Sequence, residues 1–479
     1  MYKAYITTLT NVRKHPNADR LLLADVFGNT VCVSTDYKEG QVGLYLPTDG
    51  QVSVEFAEQN NLLRKKDENG VSCGGYMDPE KRNVTAIRLR GEKSDGLFLP
   101  ISCLDYCYED GHAIEKLHPG DVIEGLVNGH EICCKYIPRT NHRVGHPTDG
   151  NRTRKKKVAV APLFKEHADT EQLAYNLGAF KVGDEIEITL KLHGTSQRTA
   201  RLPVLNGYKK TLWEKITHKE GAPIYSDGYI SGTRRVVLEN YEGGFYGSNE
   251  FREKHSKVFE GKLAKGETVY YEVVGFQTDG KPIMGTVQNK KLQDKDFIKQ
   301  YGETTTFSYG CSPTGTKIMY GCDDVSEFSV PVEVPQSDIY VYRMTITNED
   351  GEVVEYTPDF MRYRCEQMGV KCVPVFGKAI ISADRLHFVA PDGYDHDYLI
   401  GNGGTIGDMI MKLANEYCGG PDPIGKTHVR EGVVVRIVNR PKFAAYKHKN
   451  FEFKVLEGLA KVEASAPDVE EAQEIIGQE

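Results

Sequence analysis

The sequence predicts a small β-barrel followed by a larger α+β domain, and three stretches of the chain carry that expectation. Residues 1 to about 130 break into short runs of alternating apolar and polar residues with Gly and Asp between them. Residues 136–157 hold two prolines and two glycines among polar groups and show no apolar period, which is the composition of a linker. From residue 158 to about 458, strand and helix patterns alternate irregularly without a visible repeat.

In the first stretch, Tyr2 to Leu9, Leu21 to Phe27, Thr30 to Ser34, Gln41 to Leu46, Val84 to Leu89 and Gly96 to Pro100 read as strands. The linker ends in a basic cluster, Arg152, Arg154, Lys155, Lys156 and Lys157, which reads first as a solvated connection and only second as a local phosphate contact. In the larger domain, Thr405 to Tyr417 reads as a helix and residues 429–437 as a strand. The tail from Val462 to Glu479 carries six acids and no Lys or Arg, and no chemistry is assigned to it.

Composition narrows the function classes. A chain of 479 residues is long enough for two or three cores, and 39% hydrophobic with 27% charged residues is ordinary globular composition. No apolar run approaches the roughly 20 residues that cross a bilayer, and the N-terminus lacks a secretion signal, so no membrane and a cytoplasmic setting are expected. The eleven cysteines make no paired C-x-x-C spacing and read as reduced thiols. A net charge of -8 weighs against a broadly basic nucleic-acid surface, so any such contact must be local.

The segment Asp184 to Lys191 alternates strictly, with Ile186, Ile188 and Leu190 on one face and Glu185, Glu187, Thr189 and Lys191 on the other. His193-Gly194-Thr195 supplies a turn and Ser196 to Leu202 a returning strand, so Lys191 sits at the mouth of a strand-turn-strand unit. An amine there can attack an α-phosphate to give a phosphoramidate, provided that nearby cations or desolvation lower its pKa of about 10.4. Gly194 would let backbone approach a nucleotide closely. Alone, K-x-x-G is also ordinary surface chemistry.

The string Lys191-Leu192-His193-Gly194-Thr195-Ser196 resembles motif I of the covalent nucleotidyltransferase superfamily, in the form used by its ATP-dependent RNA ligases. DNA ligases and capping enzymes usually have Asp where His193 stands. Further segments resemble the remaining motifs in order. Thr233 to Leu238 is similar to motif Ia, with Arg234 at its arginine and Arg235 as the alternative. Val269 to Gly275 is similar to motif III, with Glu272 at its carboxylate. Ile339 to Arg343 is similar to motif IIIa, with Tyr342, or else Tyr340, as the aromatic against adenine. Arg430 to Arg436 is similar to motif IV with Glu431, and Tyr446 to Asn450 to motif V with Lys447 and Lys449. Lys454 is a rival in motif V. Leu190 and Arg343 depart from the usual Glu and Asp of the pattern.

Ala86 to Pro100 and Phe164 to Gln172 are similar to segments of the RNA ligase family with an N-terminal OB-like domain. The resemblance implies an OB-like N-terminal domain at 1–135, a basic linker at 136–157, an α+β adenylyltransferase domain at 158–461 with an insertion near 280–337, and an acidic tail at 462–479. It also implies a monomer that joins 3′-OH and 5′-phosphate RNA ends, on nicked duplex RNA or RNA–DNA, through lysyl-AMP. ATP would be the AMP donor, and Mg²⁺ or Mn²⁺ would be held by Glu431 and Glu272. Lys191, Gly194, Arg234, Glu272, Tyr342, Lys447 and Lys449 would contact the nucleotide; Lys191, Glu431, Lys447 and Lys449 would carry the chemistry. The alternatives are a DNA ligase or guanylyltransferase of the same superfamily, which His193 argues against, and an inactive nucleic-acid-binding relative, which intact Lys191, Glu431 and Lys447 argue against.

Gly420 to Thr427 matches the P-loop pattern letter for letter, but its flanks are reversed. A P-loop follows a strand and opens a helix, whereas this string follows a helix pattern and precedes a strand, and Pro421 and Pro423 remove backbone donors. It reads as a helix-to-strand loop leading to Glu431.

Overall fold

The computed structural model describes residues 2–66, 72–137, 159–167, 170–210, 221–238, 241, 246–322, 327–401 and 404–462. The cluster at residues 152–157 and the acidic tail beyond Val462 lie outside the described residues. The chain divides into two compact units, one of Met1–Arg139, Val287–Thr305 and Lys449–Pro467, the other of Thr140–Thr286, Thr306–His448 and Asp468–Glu479. The first unit thus takes a piece from the middle of the sequence and another from near its end.

In the first unit, the short alternating runs form strands as expected, but they sort into small sheets. Leu97–Pro100, Val42–Leu46, Ala4–Thr8 and Val122–Ile123 make an antiparallel four-stranded sheet, and Thr10–Lys14, Leu21–Val26 and Asn29–Ser34 a three-stranded one. No closed barrel forms among the described residues, which departs from the expected β-barrel. Strands this short offer few ladder positions, and closure requires every strand to find partners on both sides. The apolar positions of the four-stranded sheet, Ala4, Ile6, Leu44 and Leu46, join Val52 and Phe56 in one core.

The helix Phe451–Val462 belongs to this unit because its first turns are tied there. Lys454 pairs with Asp95 at 2.5 Å, and Glu452 with Arg88 at 3.0 Å and Lys93 at 3.1 Å. Arg88 also reaches Asp294 at 3.2 Å, in the segment contributed from the middle of the chain. Phe453 and Leu456 are buried beneath these ion pairs.

Two sheets build the second unit. A seven-stranded sheet runs Glu171–Gln172, Ala444–Lys449, Gly432–Ile437, Glu185–Lys191, Val375–Ile381, Arg385–Val389, Asp395–Leu399. A second sheet runs Ala222–Gly232, Thr195–Lys209, Glu267–Gly275, Ser337–Thr347, Val353–Glu355, with Lys371–Cys372 pairing alongside Ser337–Thr347. The Glu185–Lys191 strand passes from the first sheet through a three-residue turn into Thr195–Lys209 of the second. Its apolar face, Ile186, Ile188 and Leu190, is buried as its alternation requires. On the opposite face Glu185 is exposed, Thr189 and Lys191 are half-buried, and Glu187 is buried against Arg362 at 2.8 Å.

Candidate active site

Lys191 ends its strand opposite Gly432 of the antiparallel neighbour, so the residue before Gly432 lies beside the amine. That residue is Glu431, and its Oε1 is 2.8 Å from Lys191 Nζ. His193 Nδ1 stands 3.8 Å from the other carboxylate oxygen. The Glu431 side chain is 2% exposed, against 23% for Lys191. Adjacent strand ends, far apart in sequence, enclose the carboxylate. The neighbour supplied to Lys191 is therefore an anion.

The second sheet brings the motif III and IIIa positions onto one face. Ser196 is opposite Glu272, and Glu272 opposite Tyr340, so all three point the same way. A β-bulge follows, with Tyr271 opposite Val341 but Tyr270 opposite Arg343, which leaves Tyr342 as the extra residue. The bulge turns the half-buried Tyr342 so that its hydroxyl lies 2.9 Å from Ser196 Oγ, while Tyr340 is buried beside Asp338 at 3.3 Å. Gly194 is required by this sheet: a Cβ there would lie 2.4 Å from the Val273 carbonyl oxygen and 2.9 Å from Glu272 Cγ. The close backbone approach at Gly194 is thus to the neighbouring strand.

Arg234 and Arg235 sit in a tight turn after Ala222–Gly232, closed by Thr233 N–H to Val236 O at 2.8 Å, with Arg234 half-buried and Arg235 exposed. The Arg234 carbonyl accepts from His167 N–H at 3.0 Å, and His167 Nδ1 in turn meets Arg343 at 2.8 Å. Arg343, the departure from the motif IIIa pattern, is a buried partner of Glu355 and stacks on Tyr270 and Phe443. Arg198, which its sequence context did not single out, is 2% exposed, donates to Thr233 O at 2.9 Å and lies 3.9 Å over the Phe164 ring. Burial pulls its guanidinium down to about 10.

Lys447 and Lys449 share one face of Ala444–Lys449, the strand beside Gly432–Ile437. Lys447 is half-buried and opposite Gln172; Lys449 pairs with Glu457 at 2.6 Å within the first unit. Lys454, the rival for motif V, lies on a helix and is committed to Asp95.

The least anticipated part comes from the expected insertion. Tyr309 is buried, and its Oη accepts the His193 N–H at 2.7 Å. Burial, then the Glu431 carboxylate and, more weakly, Asp422 and Glu272, push its phenol well above the usual tyrosine range. Phe307 packs edge-on to the His193 ring at 4.6 Å, and His428 packs edge-on to Tyr309 at 4.5 Å. The P-loop-like string forms the wall behind them. It joins the helix Ile406–Cys418 to the strand Gly432–Ile437, as its flanks predict. Asp422 folds it by accepting from the Ile424 and Gly425 N–H groups, each at 2.9 Å. Gly425 is the residue that lets the wall close, because a Cβ there would lie 2.7 Å from Gly310 N. The pair Tyr309-Gly310 stands inside a segment longer than the motif spacing needs, which is the one signal the sequence held for it, and nothing local ties it to His193.

Among the described residues no group of three His, Cys, Asp or Glu side chains gathers as a metal site. Glu431 and Glu272, whose charges both raise the Tyr309 phenol, carry hard carboxylate oxygens. That suits a divalent cation that takes the rest of its ligands from water and phosphate.

Three solved structures of the Naegleria gruberi RNA ligase resemble the chain over nearly its whole length. A lysine mutant with ATP and Mn matches with a TM-score of 0.51 and 16% identity, covering 95% of this chain and 97% of that one. The complex with PPi matches with a TM-score of 0.51 and 16% identity, covering 93% and 96%. An arginine mutant with ATP and Mn matches with a TM-score of 0.50 and 15% identity, covering 96% and 99%. The fold is that of an RNA ligase. Within that RNA ligase fold, the paired Lys191 and Glu431 occupy the strand ends where the two sheets of the second unit meet. No protein-family model matches the sequence, and no curated protein does. No helix among the described residues is long and apolar enough to cross a membrane.

Proposed function

We propose that the protein is an ATP-dependent RNA ligase that seals 3′-OH to 5′-phosphate ends through AMP carried on Lys191. The observation that carries this reading is the Lys191–Glu431 pair at 2.8 Å, at the mouth of the strand-turn-strand unit. In step one, the Lys191 amine, once it has lost its proton, attacks the ATP α-phosphorus; a P–N bond forms and pyrophosphate leaves. In step two, a 5′-phosphate oxygen takes the AMP and returns the lysine. In step three, a 3′-OH attacks the activated 5′-phosphorus, forming the phosphodiester and releasing AMP.

The chain's own groups would share the work. Glu431 holds the ammonium until ATP binds, and Lys447 lies on the strand next to its own, suited to phosphate charge. Tyr342 offers an aromatic face and Glu272 a carboxylate on the same side of the second sheet. Glu431 and Glu272 would hold Mg²⁺ or Mn²⁺, which would neutralise phosphate charge and favour the unprotonated amine. The first unit, in this reading, serves as the OB-like element that engages nicked duplex RNA or RNA–DNA, and Lys449 contributes to phosphate binding when released from Glu457.

Incubation with ATP and a divalent cation should add the mass of one AMP to the intact chain, mapped to Lys191. Parallel reactions with GTP, and with nicked RNA, RNA–DNA and DNA duplexes, separate a guanylyltransferase or DNA ligase from an RNA ligase. No AMP uptake by the folded protein, or undiminished uptake by Lys191→Ala, would overturn the reading.

A further inference from the structure

The turn that follows Lys191 is held from far away in the chain. The antiparallel pairing of Glu185–Lys191 with its neighbour ends at Lys191 and Gly432, and two residues later the His193 N–H is bound by a side chain, Tyr309, 116 positions along. Tyr309 is in turn fixed on several sides. Its ring meets His428 edge-on at 4.5 Å with an interplanar angle of 80°. Next to it, Ser308 Oγ and Thr427 Oγ1 are 3.3 Å apart, and Gly425 closes on Gly310. His428 is fully buried, and its edge contact with Phe307 at 5.2 Å joins the ring that packs on His193.

Tyr309 has φ of +49°, a left-handed backbone that a bulky residue rarely adopts. Such a conformation persists where the surroundings over-determine it, and it concentrates at functional sites. Here it aims a buried phenol at a backbone donor two residues from the nucleophile. Burial and the nearby carboxylates push this phenol above the usual tyrosine range, so it offers His193 an uncharged acceptor.

We propose that Tyr309 is a positioning residue for adenylyl transfer: by accepting the His193 N–H it fixes the turn after Lys191, and so the line along which the amine approaches the α-phosphorus. The inference rests on the ligase reading and adds to it a residue outside the motif set. It places the segment between the motif III and motif IIIa strands in the nucleophile's support, with the P-loop-like loop as its backing. Orientation of this kind governs rate more than affinity, since a small misplacement of a reacting group slows the step without changing what binds.

The test is Tyr309→Phe in the full chain, which keeps the ring against His428 and removes the acceptor. Single-turnover transfer of AMP from ATP to the enzyme gives a rate constant independent of the fraction of folded protein. That constant should fall about tenfold, with KM for ATP within about twofold of wild type. Hydrogen exchange read on a peptide covering residues 191–196 should show the His193 amide protected in the wild type and faster in the variant. A wild-type rate constant in the variant, a loss confined to KM, or an unprotected His193 amide in the wild type would each overturn the role of Tyr309. Absence of AMP uptake by the wild type would instead remove the ligase reading. The exchange measurement on the wild type stands even if the variant folds poorly.

Discussion

Replacing Lys191 with Met and Glu431 with Gln, singly and together, separates the pair's part in the fold from its part in chemistry. At 2.8 Å and an effective dielectric constant of about 20, the Coulomb energy of the pair is about 6 kcal/mol. Burial of Glu431 to 2% exposure offsets part of that, and water reaching the 23%-exposed Lys191 screens more. Lys191→Met leaves a buried carboxylate without its ammonium and should cost about 3 kcal/mol. Glu431→Gln leaves a lysine that can turn toward solvent and should cost about 1–2 kcal/mol. The double variant should be less destabilised than the two singles added together, with a coupling of about 2 kcal/mol, read from chemical denaturation of all four proteins. AMP transfer behaves differently: the Met variants should take up none, and Glu431→Gln, with its shape kept and charge removed, should transfer about a hundredfold more slowly. Additive stabilities would show that the pair contributes nothing to the fold. A Glu431→Gln protein that adenylylates within about threefold of wild type would remove Glu431 from the mechanism.

Three other perturbations follow from the geometry. Gly194→Ala sets a methyl 2.4 Å from the Val273 carbonyl, so it should lower stability by about 1–3 kcal/mol and slow AMP transfer at least about tenfold; a variant with normal melting and normal transfer would refute the close approach. Burial, and then Lys254, push His255 down to about 4, so between about pH 6.5 and 4 the unfolded chain binds a proton that the folded one does not. Its contribution is fully present above about pH 6.5 and is lost as pH falls through that window, by about 3 kcal/mol in all; His255→Gln should flatten that part of the stability curve, and an unchanged slope would refute it. Lys454→Ala leaves the buried Asp95 without its partner and should lower the unfolding midpoint while AMP transfer stays within about threefold; a large loss of transfer with normal stability would return Lys454 to the phosphate site.

The Lys191 strand was legible because its alternation is strict and local. Ile186, Ile188 and Leu190 are buried, and the helix Ile406–Cys418 and strand Gly432–Ile437 enclose the P-loop-like string as its flanks required. Periodicity, turn chemistry and the demands of a phosphate cradle are properties of neighbouring residues, and the sequence by itself determined them. The tertiary structure decided what depends on residues far apart. Glu431 stands in sequence at the head of an apolar strand, and its burial is set by the partner strand that ends at Lys191. The short strands of residues 1 to about 130 were recognisable one by one, but that they close into no barrel among the described residues is a matter of pairing. The helix after Asn450 belongs with residues that precede it by more than 350 positions, through Lys454 and Asp95. Tyr309 had no local signature of its role: its meaning lies in a hydrogen bond across 116 positions, and only the folded chain brings that donor and acceptor together.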